Sequence, residues 1–233
     1  GMYPENSIPG FIAAVDAGVN TIEMGMVFSK DQEVIISHEP FLSHEICMTA
    51  DGSLIAEDDE KLFNLYQMFA EEIKVCDCGT KPHPIFKEQK MMFTYKPRLA
   101  DVIDSVELHI KSSDRKPVVY SIELKTTPGG DNIFHPDPQS VVRILTGLLA
   151  QKGITERVIV QSYDVRPLKL IKEKSPNVKI ALLVENKDGY QANIGKLGFN
   201  PDIYSPGYKL LKNENNPDVK GLFEFAEKNH IKI

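Results

Sequence analysis

Hydrophobic positions recur along this chain with two different periods, and the switch between them repeats at short intervals. In PENSIPGFIAAVDAG, Phe11, Ile12, Ala14 and Val15 share one face at helical spacing. Asn6 or Ser7 supplies an N-terminal cap to that helix and Gly18 a stop. NTIEMGMVFSKDQEVIISHE follows as two extended stretches around a Ser-Lys-Asp turn. From Pro40 to about Lys116 the pattern loosens. CDCGTKPHPIF is rich in Pro and Gly, LFNLYQMFAEEIKV predicts a helix, and KPRLADVIDSVELHI predicts a second. Beyond it the alternation is regular. PVVYSIELKT, RVIVQSY, KIALLVE and PDIYSP read as strands. SVVRILTGLLAQKG, VRPLKLIKEKSP, GYQANIGKLG and NPDVKGLFEFAEKNH read as the helices between and after them, and IKI as the start of another strand.

Strands separated by helices and short connections imply parallel pairing with crossover helices. The expected parallel strands cover about 21–28, 118–125, 157–163, 179–185 and 202–205. Several end in polar residues: Glu123 and Lys125, Gln161 to Asp164, Glu185, Ser205. That suits an α/β fold of the (β/α)8 TIM-barrel class, whose sites lie at the C-terminal ends of the strands. A doubly wound open sheet is the alternative, but no glycine-rich loop follows the first strand. The 233 residues read as one barrel-type domain, with 40–116 as an insertion outside the barrel.

Composition narrows the classes without naming one. A net charge of −6 with both signs interspersed, and no long basic tract, offers no nucleic-acid surface. No apolar run is long enough to span a bilayer. The compartment stays open between cytoplasm and an extracytoplasmic space, and a homo-oligomer is among the states left open. Cys47, Cys76 and Cys78 are too few for a disulfide framework, and Cys76 and Cys78 read as small buried residues rather than a redox pair.

The polar residues in register at the expected strand ends are Glu23, His38, Glu123, Lys125 and Asp164. Two glutamates on neighbouring strands can converge on a hard cation such as Mg²⁺ or Ca²⁺. A histidine beside them can move protons and a lysine can hold phosphate. By spacing alone, an ordinary Glu123–Lys125 ion pair at the mouth is the better reading. His44, His83, His109 and His135 read as solvated, with the loop of His135 near enough to reach the site. Phe86 and Tyr163 read as core more readily than as pocket lining, and Asp164 as a partner for Arg166 or Lys169.

Motif order adds a resemblance. PENSIPGFIAAVDAGVNTIEMGMVFSKDQEVIISHEP resembles the first block of the glycerophosphodiester phosphodiesterase family, which runs HRG, PENT, a helix, ELD, TKDG and VVxHD. KPRLADVIDSV resembles its IPTLEEVL helix, YSIELK its IEIK strand and VIVQSYD its VQSFD strand. The similarity runs through nearly the whole chain in the family's order. It implies a metal-dependent barrel hydrolase that cuts glycerophosphodiesters into glycerol 3-phosphate and an alcohol, with a divalent cation (Mg²⁺ or Ca²⁺). It also implies roles. Glu23 and Glu123 match metal ligands, Lys125 a phosphate contact and His38 the second of two catalytic histidines. The segment 40–116 matches an insertion that roofs the glycerol pocket.

Three departures from the family pattern set further expectations. HRG does not precede PENS in these residues, so one histidine and a phosphate-binding arginine are not among them. The Asp of ELD is Gly25, a degenerate metal position where an aspartate would restore a third carboxylate. The family's late PWTVN and GIITDYP strands are not found, and the chain holds no Trp. The residues therefore read as strands two to six of eight, with the start of the seventh, from a longer protein whose activity these residues alone support poorly. Two alternatives stand beside that reading. One is a catalytically silent barrel with a binding or structural role. The other is a phospholipase C/D-like relative acting on another head group.

Overall fold

The structure is a computed structural model that describes residues 1–212 and 217–233. The first residue of the last expected helix, Asn216, lies outside the described residues. Helix α1 (Ile8–Asp16) leads into strand β1 (Thr21–Phe28) and its antiparallel partner β2 (Val34–Ile36). A short helix α2 (Ala70–Lys74) and a long one, α3 (Leu99–Ser112), follow. Strands and helices then alternate as β3 (Val119–Leu124), α4 (Pro138–Lys152), β4 (Val158–Ser162), α5 (Val165–Lys174), β5 (Lys179–Val184), α6 (Tyr190–Leu197) and β6 (Ile203–Pro206). Helices α7 (Tyr208–Leu211) and α8 (Pro217–Lys228) end the order.

The described strands form one sheet in the order β2-β1-β3-β4-β5-β6, parallel at every pairing except β1 with β2. All five parallel strands lie within one residue of their expected bounds. The final IKI, read as the start of another strand, makes an isolated parallel bridge with β6, where Tyr204 N–H donates to the Lys232 carbonyl at 2.8 Å. No helix among the described residues is long and apolar enough to cross a membrane.

The period of two along each strand separates two faces. Ile22, Met24, Tyr120, Ile122, Val160, Ile180 and Leu182 face the helices and are almost completely buried. They pack with Val102, Ile103 and Val106 of α3, Val141 and Leu145 of α4, and Leu168 and Ile171 of α5. Glu23, Gly25, Glu123 and Gln161 take the alternate positions, so the opposite face carries the polar residues.

Helix α3 packs in this main core, whereas the earlier part of the loosely patterned stretch builds a second one. There Leu42, Ile55, Leu65, Ile73 and the three cysteines cluster against Val27 and Ile35. Cys47 and Cys78 form a disulfide and Cys76 is a buried free thiol, which corrects the reading of Cys78 as a plain buried residue. The single helix expected over 62–75 is broken instead. Asn64, Met68 and Phe69 are extended, leaving a 3₁₀ turn at Leu65–Gln67 before α2. The cause is one local bond and one tertiary bond. The Asn64 side chain accepts from Tyr66 N–H at 2.9 Å, and the Met68 carbonyl accepts from Lys30 N–H at 2.8 Å. Those bonds satisfy the backbone better than continued helix would, and helix propensity is a weak prior against them.

Candidate functional site

The site begins with register. Gly25 of β1 stands beside Glu123 of β3, and Glu123 beside Gln161 of β4. Glu23 lies two residues before Gly25 on the same face, and Gln161 Nε2 donates to its Oε1 at 3.0 Å. Lys125 follows β3 and pairs with Glu123, Nζ to Oε2 at 2.7 Å, both side chains largely buried. The ion pair that spacing alone favoured is thus present, and it sits inside the cluster of candidate residues.

The charges feel one another. Desolvation in the cleft and the nearby charge of Glu123 push the Glu23 carboxyl above the ordinary carboxylate range, while Lys125, His38 and the Gln161 amide pull the other way. Carboxylate oxygens are the donors that a hard cation prefers. Among the described residues no group of three or more His, Cys, Asp or Glu side chains stands where it could hold a metal ion. What these residues offer a cation is the carboxylates of Glu23 and Glu123, the latter here bonded to Lys125.

At Gly25, the third expected position, there is no room for a side chain. A Cβ built there would stand 2.5 Å from the Ser37 carbonyl oxygen and 3.0 Å from Lys125 Cε. The crowding arises because Ser37 N–H donates to the Gly25 carbonyl at 2.9 Å, drawing the end of β2 across β1. The Gly25 N–H in turn donates to Asn6 Oδ1 at 3.2 Å, so the Pro-Glu-Asn turn ahead of α1 is tied to the same point.

His38 follows directly. Its exposed ring bonds Glu39, Nδ1 to Oε1 at 2.6 Å. That bond raises the imidazole above its usual value, against partial desolvation and the Lys125 charge, and it lowers the Glu39 carboxyl. Behind the pair lies Lys96, only 4% exposed. The antiparallel bridge Ile35↔Arg98, continued two residues, sets Lys96 opposite Ser37. Burial pulls its ammonium down, and the charges of Glu5 and Glu39 oppose that pull. Sequence reasoning missed Glu39, Lys96 and the Gln161–Glu23 bond. Glu39 was legible as an acid beside a candidate histidine. Lys96 was not, because KPRL reads as the start of α3.

The structure brings Glu23, Glu123, Lys125 and His38 together and sets the other candidates apart. Asp164 caps α5 through Arg166 N–H at 3.0 Å and is locked to the Arg166 guanidinium, as one of its expected readings held. The four other candidate histidines, His44, His83, His109 and His135, are bonded rather than solvated. His44 pairs with Glu60 at 2.7 Å and His109 with Asp16 at 2.8 Å. His83 accepts from Ile85 and Phe86 N–H. His135 is buried, accepting from Thr127 N–H at 3.0 Å and bonded to the Pro136 carbonyl at 2.8 Å. Phe86 and Tyr163, read as core, are exposed instead. Desolvation and the charges of Glu185 and Glu123 raise the Tyr163 phenol, which places it at the same mouth.

Comparison with known proteins follows this geometry. A family model described as "Glycerophosphoryl diester phosphodiesterase family" matches residues 1–205. A glycerophosphodiester phosphodiesterase from Caldanaerobacter subterraneus is 26% identical over 182 residues, covering 78% of this chain and 62% of the relative. One from Bacillus altitudinis is 24% identical over 212 residues, covering 89% of this chain and 74% of its own length. The chain spans 62% and 64% of the length of the first two curated relatives it matches. Among solved structures, an Oleispira antarctica phosphodiesterase in complex with the product sn-glycerol-3-phosphate superposes with a TM-score of 0.69 at 18% identity, covering 95% of this chain and 77% of that one. The glycerophosphodiester phosphodiesterase of Thermotoga maritima gives a TM-score of 0.58 at 20% identity, over 96% of this chain and 76% of that one. At that identity these structures establish the fold: the α/β barrel class expected from the sequence holds, with the described sheet open between β2 and β6.

Proposed function

The chain belongs to the glycerophosphoryl diester phosphodiesterase family, and from that premise we propose that its cleft hydrolyses glycerophosphodiesters to glycerol 3-phosphate and an alcohol. The observation that carries this is the convergence of Glu23, Glu123, Lys125 and His38 at the polar face of β1 and β3, each coupled electrically to another. The family implies a divalent cation, Mg²⁺ or Ca²⁺, for which Glu23 and Glu123 are the holders. Such a cation, when bound, neutralises phosphate charge and favours attack at phosphorus.

The side chains divide the remaining work. Lys125, released from Glu123, offers its ammonium to a phosphate oxygen. His38 moves the proton. Because Glu39 favours its imidazolium, the fitting role is acid: Nε2–H donates to the departing alkoxide oxygen as the P–O bond breaks. The oxygen that attacks phosphorus, from water or the substrate's free glycerol hydroxyl, loses its proton to a base on the opposite side, the part that the resemblance gives to the family's other histidine. Tyr163 walls the mouth. Of the segment 40–116, the part before α3 roofs the pocket, a reading supported by the bond from Asn64 Nδ2 to the Ile133 carbonyl at 2.7 Å, which ties it to the loop after β3.

Gly25 favours a second reading of these residues as a weak or silent catalyst. His38 is the one described histidine that faces the cleft, and two carboxylates stand where three were expected. A missing acid or base typically lowers rate ~10²–10⁴-fold. The test is release of glycerol 3-phosphate from glycerophosphocholine and glycerophosphoethanolamine, beside the Caldanaerobacter relative. Slow, EDTA-sensitive release that Glu123→Gln abolishes supports the hydrolase. Absence of release alongside intact calcium binding supports the silent barrel.

A further inference from the structure

The loop from Thr80 to Phe93 has the makings of a surface anchor. Its neck is closed by backbone bonds from Cys78 N–H to the Thr94 carbonyl and from Met92 N–H to the Gly79 carbonyl, the latter at 3.0 Å. Between them Ile85 is 72% exposed, Met91 64%, Phe93 61% and Phe86 46%. Met2, 59% exposed, joins the patch, since its carbonyl accepts from Lys90 N–H at 2.9 Å and it shares a groove with Phe86 and Lys87. A folded protein seldom leaves large apolar side chains crowded in one loop facing water.

Charge selects the partner. Lys87 and Lys90 interleave with these side chains, and Glu88 is the loop's one acid, whereas the chain as a whole carries −6. Lys90 is fixed at the patch by its bond to the Tyr3 hydroxyl at 2.7 Å. A second copy would bring the same lysines face to face, so self-association is disfavoured. An anionic bilayer presents the complement of both features: apolar depth for the tips and phosphates for the ammonium groups.

We propose that the Thr80–Phe93 loop docks this protein on anionic phospholipid surfaces, with Ile85, Met91 and Phe93 entering the headgroup layer and Lys87 and Lys90 facing lipid phosphate. The contact is peripheral, made by side chains at the tip of the loop.

The experiment is co-sedimentation of the 233-residue chain with vesicles of phosphatidylcholine alone and with added phosphatidylglycerol, at low and high salt. Binding should require phosphatidylglycerol and weaken with salt. Lys87→Gln should lower partitioning about fivefold. Ile85→Ser with Phe93→Ser should lower it at least about tenfold. These side chains are exposed, so the variants should melt with the parent; Met91→Ser serves as a second apolar variant should the double one not fold. Failure to bind anionic vesicles would overturn the proposal, as would binding that these variants leave unchanged. A doubled mass in sedimentation velocity that Ile85→Ser/Phe93→Ser abolishes, without vesicle binding, would assign the patch to self-association instead.

Discussion

Replacing Gly25 by alanine separates two accounts of that position, vacated ligand or packing contact. A methyl there would begin 2.5 Å from the Ser37 carbonyl oxygen, a separation that real Cβ atoms do not show. Ser37 must therefore retreat by roughly half an ångström, and overpacking of that kind costs about 1–3 kcal/mol. The retreat also stretches the 2.9 Å bond from Ser37 N–H to the Gly25 carbonyl, worth about 1 kcal/mol. Against this, alanine restricts the unfolded chain and returns about 0.4–1 kcal/mol. The balance is a loss of about 2 kcal/mol, or roughly 4–8 °C in melting temperature for a chain of this size. Urea and thermal melts of parent and Gly25→Ala measure it. Local strand preference alone ranks alanine above glycine, so a Gly25→Ala protein as stable as its parent would refute the reasoning. Gly25→Asp carries the same strain and displaces Ser37 next to His38. Calorimetric titration should find its calcium affinity no higher than the parent's, and a clear gain would restore the vacated-ligand account.

Other consequences follow from the same geometry. Cys47→Ser removes a crosslink across a sequence separation of 31, worth about 4 kcal/mol by chain entropy, and should loosen the second core so that protease cuts within 40–98 first. Lys96→Met removes a buried charge and should raise the melting temperature while lowering activity; a fall in both would make Lys96 merely structural. Glu39→Gln should lower the His38 pKa in an NMR titration, because the Glu39 bond is what raises it. Linkage gives the sign. The contribution of raised His38 is full below about 6.5 and is lost as pH rises through its folded pKa, whereas that of lowered Glu39 is present above about 4.5 and lost in acid. Glu39→Gln should therefore remove the pair's share of the fall in stability below about 4.5 and above about 6.5.

Much of this was legible in the sequence because period and register are local. Strands of alternating or continuous apolar residues announced the parallel sheet, and once the register was set, Glu23, Gly25 and Glu123 had to share a face. What the sequence concealed depends on contacts made across distance. The break at Met68 comes with a bond from Lys30 N–H to its carbonyl, and no short window of residues contains both sides of that exchange. Lys96 opposite Ser37 is a pairing across 59 positions, invisible to spacing rules. The partner of Cys47 could not be chosen from three cysteines by count alone. Gly25 shows the reverse hazard: a motif comparison marks a lost carboxylate there, while the backbone of Ser37 already occupies the space.

The central claim is that the polar face of β1 and β3 cleaves phosphodiesters with Glu123 and His38. Phosphorus NMR of glycerophosphocholine incubated with the chain and Mg²⁺ or Ca²⁺ tests it most directly. The account predicts slow growth of the glycerol 3-phosphate signal, stopped by EDTA and absent in Glu123→Gln and His38→Asn, both still folded. Release that persists unchanged in either variant, or no release from any glycerophosphodiester supplied, would contradict it.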